Sequence, residues 1–541
     1  MFDLIDQEDV FIGLLIGLAA IYIYFYMLPS GNENRMLLLE NQASISNVRH
    51  QGETAIYRSL STPLGRGLIN GLSIGNSFNT RPGTLSDIWK VRSKRSKLLA
   101  AHPTKLHAVD IDETEHLEAI VSQLGRYFEE LRGDSVDTTV SLLVPNCQQA
   151  LISLFAAALF NIPTTVLPID KDSLTYVDKH IEAANPFVLI VADESLLDKV
   201  NFSKTQIKEV ITIRNKSEFR YPTSVRSSLW KTVIKGLGTT HVDLPEVSEA
   251  VRPVQATYRH NGVVKVSRFT HQNLAAAVAY QIKALPQAQQ WGAEDRVLIF
   301  TSQVSLYTIA AQLVALIQGS SVLYLSKMNV NPELLLEATQ PTVIVTDDDT
   351  TLSLLNQVRD LTLMQTIKLR IDRATLSRGR LPARPVLPCF KSVRLFYTVA
   401  QITDNTEQLL HPELFERDED DEEVKTYLDT YDANTLRSLT GADVIHSLAS
   451  PLLAGPVAST MVWDYRYSSA DDRDKLSNFG PVSATLEAKL RDFGDAGELQ
   501  AEHNEGELLV RGFVSPTGEE WIETSIVGRF TPDGCLKLIN Y

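Results

Sequence analysis

Strands and helices alternate twice along this chain at the spacing of βαβ units, and no other feature limits its possible folds as much. In the first block, helix 115–131 precedes an apolar strand at 138–144 (TTVSLLV). A helix at 148–160, a strand at 164–167, a helix at 174–184 and a strand at 187–192 follow. The second block runs through helix 272–285, strand 296–300, helix 306–318, strand 321–325, helix 333–339 and strand 342–345. Strands that read as short continuous apolar runs must be covered on both faces, which is the condition of a parallel sheet between helical layers. The expected fold is therefore α/β, with two parallel-sheet subdomains. Beyond residue 480 the pattern changes to short alternating strands (484–491, 506–510 and 535–539), which predicts a small β-rich subdomain.

One segment departs from this globular pattern. Phe11 to Leu28 is an uncharged run of 18 residues, long enough to cross a bilayer as a helix. Tyr and Phe side chains crowd its C-terminal end, and Pro29-Ser30-Gly31 ends it. The preceding residues hold Asp3, Asp6, Glu8 and Asp9 but no Lys or Arg, unlike a cleaved leader. Basic residues follow the segment, so positive-inside bias predicts a short lumenal N-terminus (1–10), a single membrane anchor (11–28) and a cytosolic body. The expected location is the endoplasmic reticulum membrane, or a lipid droplet or other endomembrane. Residues 29–112 are rich in Ser, Asn, Gly and basic side chains with weak periodicity, and read as a flexible linker. The remaining divisions are an α/β subdomain at 113–253, a second at 254–478 with an acidic insert at 416–423, and the β-rich part at 479–541.

Composition excludes several function classes. Asp and Glu number 66 against 51 Lys and Arg, a net charge of −15 that lacks the basic footprint nucleic acids require. The three cysteines, Cys147, Cys389 and Cys535, are far apart in sequence, which excludes a disulfide scaffold and a cysteine-based zinc site. No metal-ligating set is recognised. Gly71-x-Ser73-x-Gly75 matches the spacing of a hydrolase nucleophile elbow, but no buried strand precedes it, so it reads as linker.

The segment from Thr257 to Leu274 (TYRHNGVVKVSRFTHQNL) places Gly262 and Lys265 in a loop ahead of a helix beginning near Thr270-His271. Glycine lets backbone N–H groups approach a phosphate, and lysine neutralises its charge. This segment resembles the phosphate-loop signature of the adenylate-forming ligases, Y-T-S-G-T-T-G-x-P-K-G-V-x-L-T-H-x-N-L. Gly262, Lys265, Thr270, His271, Asn273 and Leu274 match it. Further resemblance follows in family order: 139–158, 164–192, 295–325, the FGPVSATLEAKLRD segment at 479–492 and EGELLVRG at 505–512. Together these imply the AMP-binding, acyl-CoA synthetase-like large domain of that superfamily, with ATP and Mg²⁺ as the cofactors of its working members.

The chain also departs from the family pattern. Tyr258, Arg259, His260 and Asn261 occupy the hydroxyl-rich half of the loop. Where the family has Y-G-x-T-E, this chain has His446 to Ser450 (HSLAS), lacking both Thr and Glu. Where the family has a small-residue turn, it has Phe396 to Gln401 (FYTVAQ). Of W-x-x-T-G-D, Trp521 and Thr524 remain, whereas Ser525 and Ile526 replace Gly-Asp. The chain ends at Tyr541, which implies that the small C-terminal domain with its catalytic lysine is absent. Losing one preorganised transition-state stabiliser costs on the order of 10²–10³ in rate, and several are altered together. The resemblance thus implies a degenerate, catalytically inactive, membrane-anchored member acting in lipid metabolism. It would bind a lipid, an acyl-CoA or a protein partner, as a scaffold or regulator. No residue is assigned a catalytic role. Gly262, Lys265 and His271 of the degenerate phosphate loop, with Thr524, are the candidate cofactor-binding residues. The alternative is an active ATP-dependent fatty acid–CoA ligase with divergent motifs.

Overall fold

The computed structural model describes residues 12–19 and 36–539, less 77–78, 103–104, 109–113, 136, 215–220, 238–241, 246–251, 261, 302–303, 326–330, 358–360, 383, 403–426, 466–476 and 495–498. Three sheets organise the described residues. The first has seven strands in the order Arg226–Leu229, Glu209–Thr212, Pro186–Val191, Thr139–Leu143, Thr164–Val166, Val254–His260 and Val263–Phe269. All neighbours are parallel except the last pair, which forms an antiparallel hairpin. The second sheet has eight strands: Pro456–Ser459, Asp443–Ala449, Leu395–Gln401, Val343–Asp347, Arg296–Phe300, Ser321–Leu325, Leu98–His102 and Lys105–Ala108. It is parallel inside and antiparallel at both edges.

The expected α/β architecture with two parallel-sheet subdomains and a β-rich third is observed. Central strands such as Thr139–Leu143 and Pro186–Val191 are buried at every position, as strands covered on both faces require. Helix Gln148–Leu159 is buried almost throughout and helix Leu306–Gln318 likewise. Phe155, Ala157, Ala276, Ala310 and Val314 belong to one continuous core that joins the subdomains.

Two sequence divisions are corrected. The boundary at 254 falls too early, because Val254–His260 pairs with Thr164–Val166 and so belongs to the first sheet. The second subdomain begins with the helix His271–Lys283. The described part of 29–112 is not a free linker. Ala43–Ile45 and Tyr57–Ser59 form a hairpin that completes the third sheet, an antiparallel set with Leu486–Arg491, Glu505–Gly512, Ile522–Phe530, Cys535–Leu538 and Asn478–Pro481. Ala43 lies where a side chain on Gly534 would sit, 2.3 Å from that position. The Thr54 N–H donates to the Leu490 carbonyl at 2.8 Å, and Lys489 meets Glu53 at 2.6 Å. Tyr57 stacks on Phe530 with ring centroids 3.8 Å apart. Helix Leu85–Val91 then buries Leu85, Ile88 and Trp89, the indole packing on Phe155 at 4.8 Å. Strand Leu98–His102 joins the second sheet beside Ser321–Leu325. One N-terminal segment therefore laces all three subdomains together. Ser73 is exposed and precedes the short strand Ile74–Asn76, so the strand–nucleophile–helix geometry of an elbow is not formed.

Of the apolar run at 11–28, residues 12–19 are described. They form a helix with Leu14, Ile16 and Leu18 exposed. Residues 11 and 20–28, the N-terminus at 1–10 and the acidic insert at 416–423 lie outside the described residues. Among the described residues no helix is long and apolar enough to cross a membrane.

The lacing segment can be tested through Tyr57. Truncating a buried aromatic of this kind costs about 3–5 kcal/mol, so Tyr57→Ala should lower the denaturation midpoint clearly. A residue in a free linker would leave the midpoint unchanged.

Candidate active site

The carboxyl ends of the parallel strands in the first two sheets face one another across a cleft of about 340 Å³. This is where open α/β sheets place ligands. Val166 and Pro168 come from the first sheet, and Gln401, Ala449 and Ser450 from strand ends of the second. The hairpin contributes Ala256 to Arg259, and the start of helix Leu306–Gln318 contributes Ser305 to Tyr307. Ser305 caps that helix by accepting from the Thr308 N–H. Asp170 caps helix Lys171–Thr175, accepting from the Ser173 N–H at 2.8 Å.

Charge in the cleft is mixed. Asp170 and Asp349 line it together with Arg259, whose guanidinium lies 5.0 Å from the Tyr176 ring centroid. Burial raises the Asp349 pKa above the ordinary carboxyl value, and the nearby carboxylates of Asp347, Asp348 and Asp170 raise it further. Behind the second-sheet wall, Asp348 is fully buried. It accepts from His446 Nε2 at 2.9 Å, from the Thr398 hydroxyl at 2.7 Å and from the Leu428 N–H at 3.0 Å. Burial alone would raise its pKa, but the His446 charge and these hydrogen bonds outweigh burial and hold it below the usual range. Phe479 packs against the His446 ring at 4.4 Å. The sequence reading did not find this His–Asp pair. The available signal was the Asp347-Asp348-Asp349 run at a strand's carboxyl end, where parallel sheets build their sites.

The four candidate cofactor-binding residues do not come together at the cleft. Gly262 turns the hairpin with φ +71°, and a side chain there would meet open space. The strands flanking it pair in unbroken register from Val254–Phe269 to His260–Val263, so 261–262 alone make the turn. Asn-Gly is the favoured two-residue hairpin connection. A phosphate loop needs a longer segment with amides free to point at the ligand, and here the chain has closed into a ladder. Lys265 is exposed on the edge strand opposite Tyr258. Tyr258 and Arg259, from the altered half of the motif, are the residues that reach the cleft. His271 is buried at the first turn of its helix. Its Nδ1 has no hydrogen-bond partner among the described residues, and burial lowers its pKa to about 4.

Thr524 is buried in the third sheet, its hydroxyl donating to the Leu508 carbonyl at 2.7 Å. Ser525, at the family's glycine position, keeps a left-handed backbone with φ +55°. Ile526, at the aspartate position, is fully buried in the main core. The residues present therefore do not fit a magnesium nucleotide. Ala449 and Ser450 face the cleft where the family's Thr and Glu would stand, no carboxylate is available at 526, and Asp170 and Asp349 would oppose a polyphosphate.

Comparison with solved structures places this geometry. The chain superimposes on the luciferase-like enzyme of the nonluminescent mealworm Zophobas morio with a TM-score of 0.57 at 14% identity, covering 87% of this chain and 98% of that one. The anthranilate CoA ligase AuaEII, in complex with anthranoyl-AMP, gives 0.57 at 14% identity, over 84% of this chain and 77% of the other. The amide bond synthetase McbA of Marinactinospora thermotolerans gives 0.53 at 16%, with the same coverages. The fold is that of the adenylate-forming ligases. At these identities the likeness establishes the fold alone. In sequence, the chain is 23% identical over 538 aligned positions, 93% of each protein, to the uncharacterized protein YHR045W of Saccharomyces cerevisiae. No family model matches the chain.

Two measurements check this description. His180, whose Nδ1 lies 2.9 Å from the cleft residue Thr257, is buried and, like His271, has its pKa lowered to about 4 by burial. In the unfolded chain both rings titrate near 6.5, so below that pH the unfolded state binds more protons. Stability should be fully present above about pH 6.5 and fall as pH drops toward 4, by up to roughly 3 kcal/mol per ring. A His180→Gln, His271→Asn double variant should show a flatter denaturation midpoint over that window. Separately, Ser525→Gly should be neutral or stabilising by up to about 1 kcal/mol, because glycine removes the cost of a left-handed backbone.

Proposed function

We propose that this chain is a catalytically inactive, acyl-CoA synthetase-like protein that uses the cleft to bind rather than to adenylate. On this reading it acts in lipid metabolism as a binding, scaffold or regulatory protein. The closed hairpin at 254–269 carries this reading, because it puts a Tyr and an Arg into the cleft where a working relative would hold phosphates. Val304, Leu306 and Leu453 supply apolar wall, while Arg259, Tyr307 and Ser450 supply polar contact. That combination suits an amphipathic acid or an acyl-CoA, whose anionic part would meet Arg259 and whose chain would follow the apolar wall. The membrane tether at 11–28 would bring the cleft close to apolar ligands. Its exposed, apolar described part, 12–19, supports that placement. The body then faces the cytosol, on the endoplasmic reticulum or a related membrane.

The test is calorimetric titration of Mg-ATP into the full chain in nanodiscs, with pyrophosphate release measured across a panel of fatty acids. The expected result is no heat at millimolar nucleotide and no release. ATP-dependent release that Lys265→Ala abolishes would overturn the proposal in favour of a divergent active ligase. In parallel, a fluorescent acyl-CoA should bind, and Arg259→Glu should weaken it by about tenfold or more. An exposed Arg placed against an anionic group is worth roughly that factor.

A further inference from the structure

Helix Leu363–Leu376 is attached to the body by one side only. Thr362 caps it, accepting from the Gln365 N–H. Asp372 and Leu376 are its buried residues, and Leu369 packs against the second-sheet core. Arg373 reaches the Thr435 hydroxyl at 2.8 Å and lies over the Tyr431 ring, fixing the helix to its neighbour Thr430–Thr440. The opposite side faces solvent. At its first turn Leu363 is 76% exposed, Met364 75% and Ile367 44%. Continuing along that side at three- and four-residue spacing come Arg370, Ala374 and Arg378, all exposed.

A single exposed leucine is ordinary, but three large apolar side chains within about one turn are not. The charge around them runs against the rest of the molecule. Between residues 363 and 384 six Lys or Arg accompany a single acid, Asp372, in a chain of net charge −15. That acid is itself paired with Lys368 at 2.5 Å. An apolar patch flanked by arginines is the pattern of a helix that lies in the plane of a membrane surface. A second copy of the chain is a poorer occupant, because a two-fold contact through this face would set its arginines against one another.

We propose that helix Leu363–Leu376 is a membrane-docking surface. It would seat Leu363, Met364 and Ile367 at the headgroup–acyl boundary of an anionic bilayer, with Arg370 and Arg378 against lipid phosphates. The proposal rests on the membrane reading only for the protein's location, since the helix would engage an anionic surface without the tether.

The experiment is hydrogen exchange on the full chain in nanodiscs of phosphatidylcholine, with and without phosphatidylserine. Amides of 363–370 should exchange roughly tenfold more slowly or better on the anionic discs, and high salt should remove the difference. The exposed-residue variants Leu363→Ser/Met364→Ser/Ile367→Ser and Arg370→Glu/Arg378→Glu should each abolish the slowing while the core amides stay protected. Equal exchange on both discs would overturn the proposal. So would slowing that persists in the charge-reversal variant, or that appears without lipid and grows with protein concentration, as self-association would. Flotation with neutral vesicles reads the tether separately, so failure of the anchor and failure of the helix are distinguishable.

Discussion

A buried carboxylate has to be matched on every side, and Asp348 sets that condition where the second sheet meets the cleft. Its oxygens take donors from strand Leu395–Gln401 through Thr398, from strand Asp443–Ala449 through His446, and from the Leu428 N–H on the approach to helix Thr430–Thr440. Removing one partner of such a pair leaves an uncompensated buried charge, typically at a cost of about 3–5 kcal/mol. The pair therefore holds two strand ends and one chain segment in a single arrangement. Gln401, Ala449 and Ser450 line the cleft because these strand ends stay aligned.

Much of the α/β body was legible in the sequence. The strands at 296–300 and 321–325 and the helix at 306–318 appear with the expected bounds. Each is a continuous apolar run closed by a turn signal, such as Gly319, which ends its helix in a left-handed conformation. The integration of 42–108 was not legible. Its strands are mostly three to five residues long with few apolar positions, and the hairpin's partners lie more than 400 residues away. Nothing local signals such pairing. The hairpin at 254–269 was half legible. Gly262 and Lys265 stood out by type, yet register decides which side chains reach the cleft, and it favours Tyr258 and Arg259. The His446–Asp348 pair required knowing that two strands nearly 100 residues apart lie in one sheet.

The substitutions around the cleft share a physical logic. Thr524 still bonds a backbone carbonyl, Ser525 still takes the left-handed turn and Ile526 adds apolar volume to the core. Each keeps what the fold needs and omits the polar group that nucleotide chemistry would need. Buried packing and backbone pairing stabilise the scaffold, whereas a preorganised polar site tends to cost stability. A sequence released from adenylation can therefore drift toward core-compatible residues at these positions while the architecture persists.

The lacing segment also constrains how the chain is made. Residues 42–59 leave the ribosome early, but the strands they complete, 486–491 and the turn around Gly534, are synthesised last. Until then the early hairpin has no sheet to join, and the edge of the third sheet has no cover. Pairing across so long a separation is slow, and open strand edges invite wrong partners. For this protein, final closure is a post-translational event, and the interval before it is when the nascent chain most needs shielding.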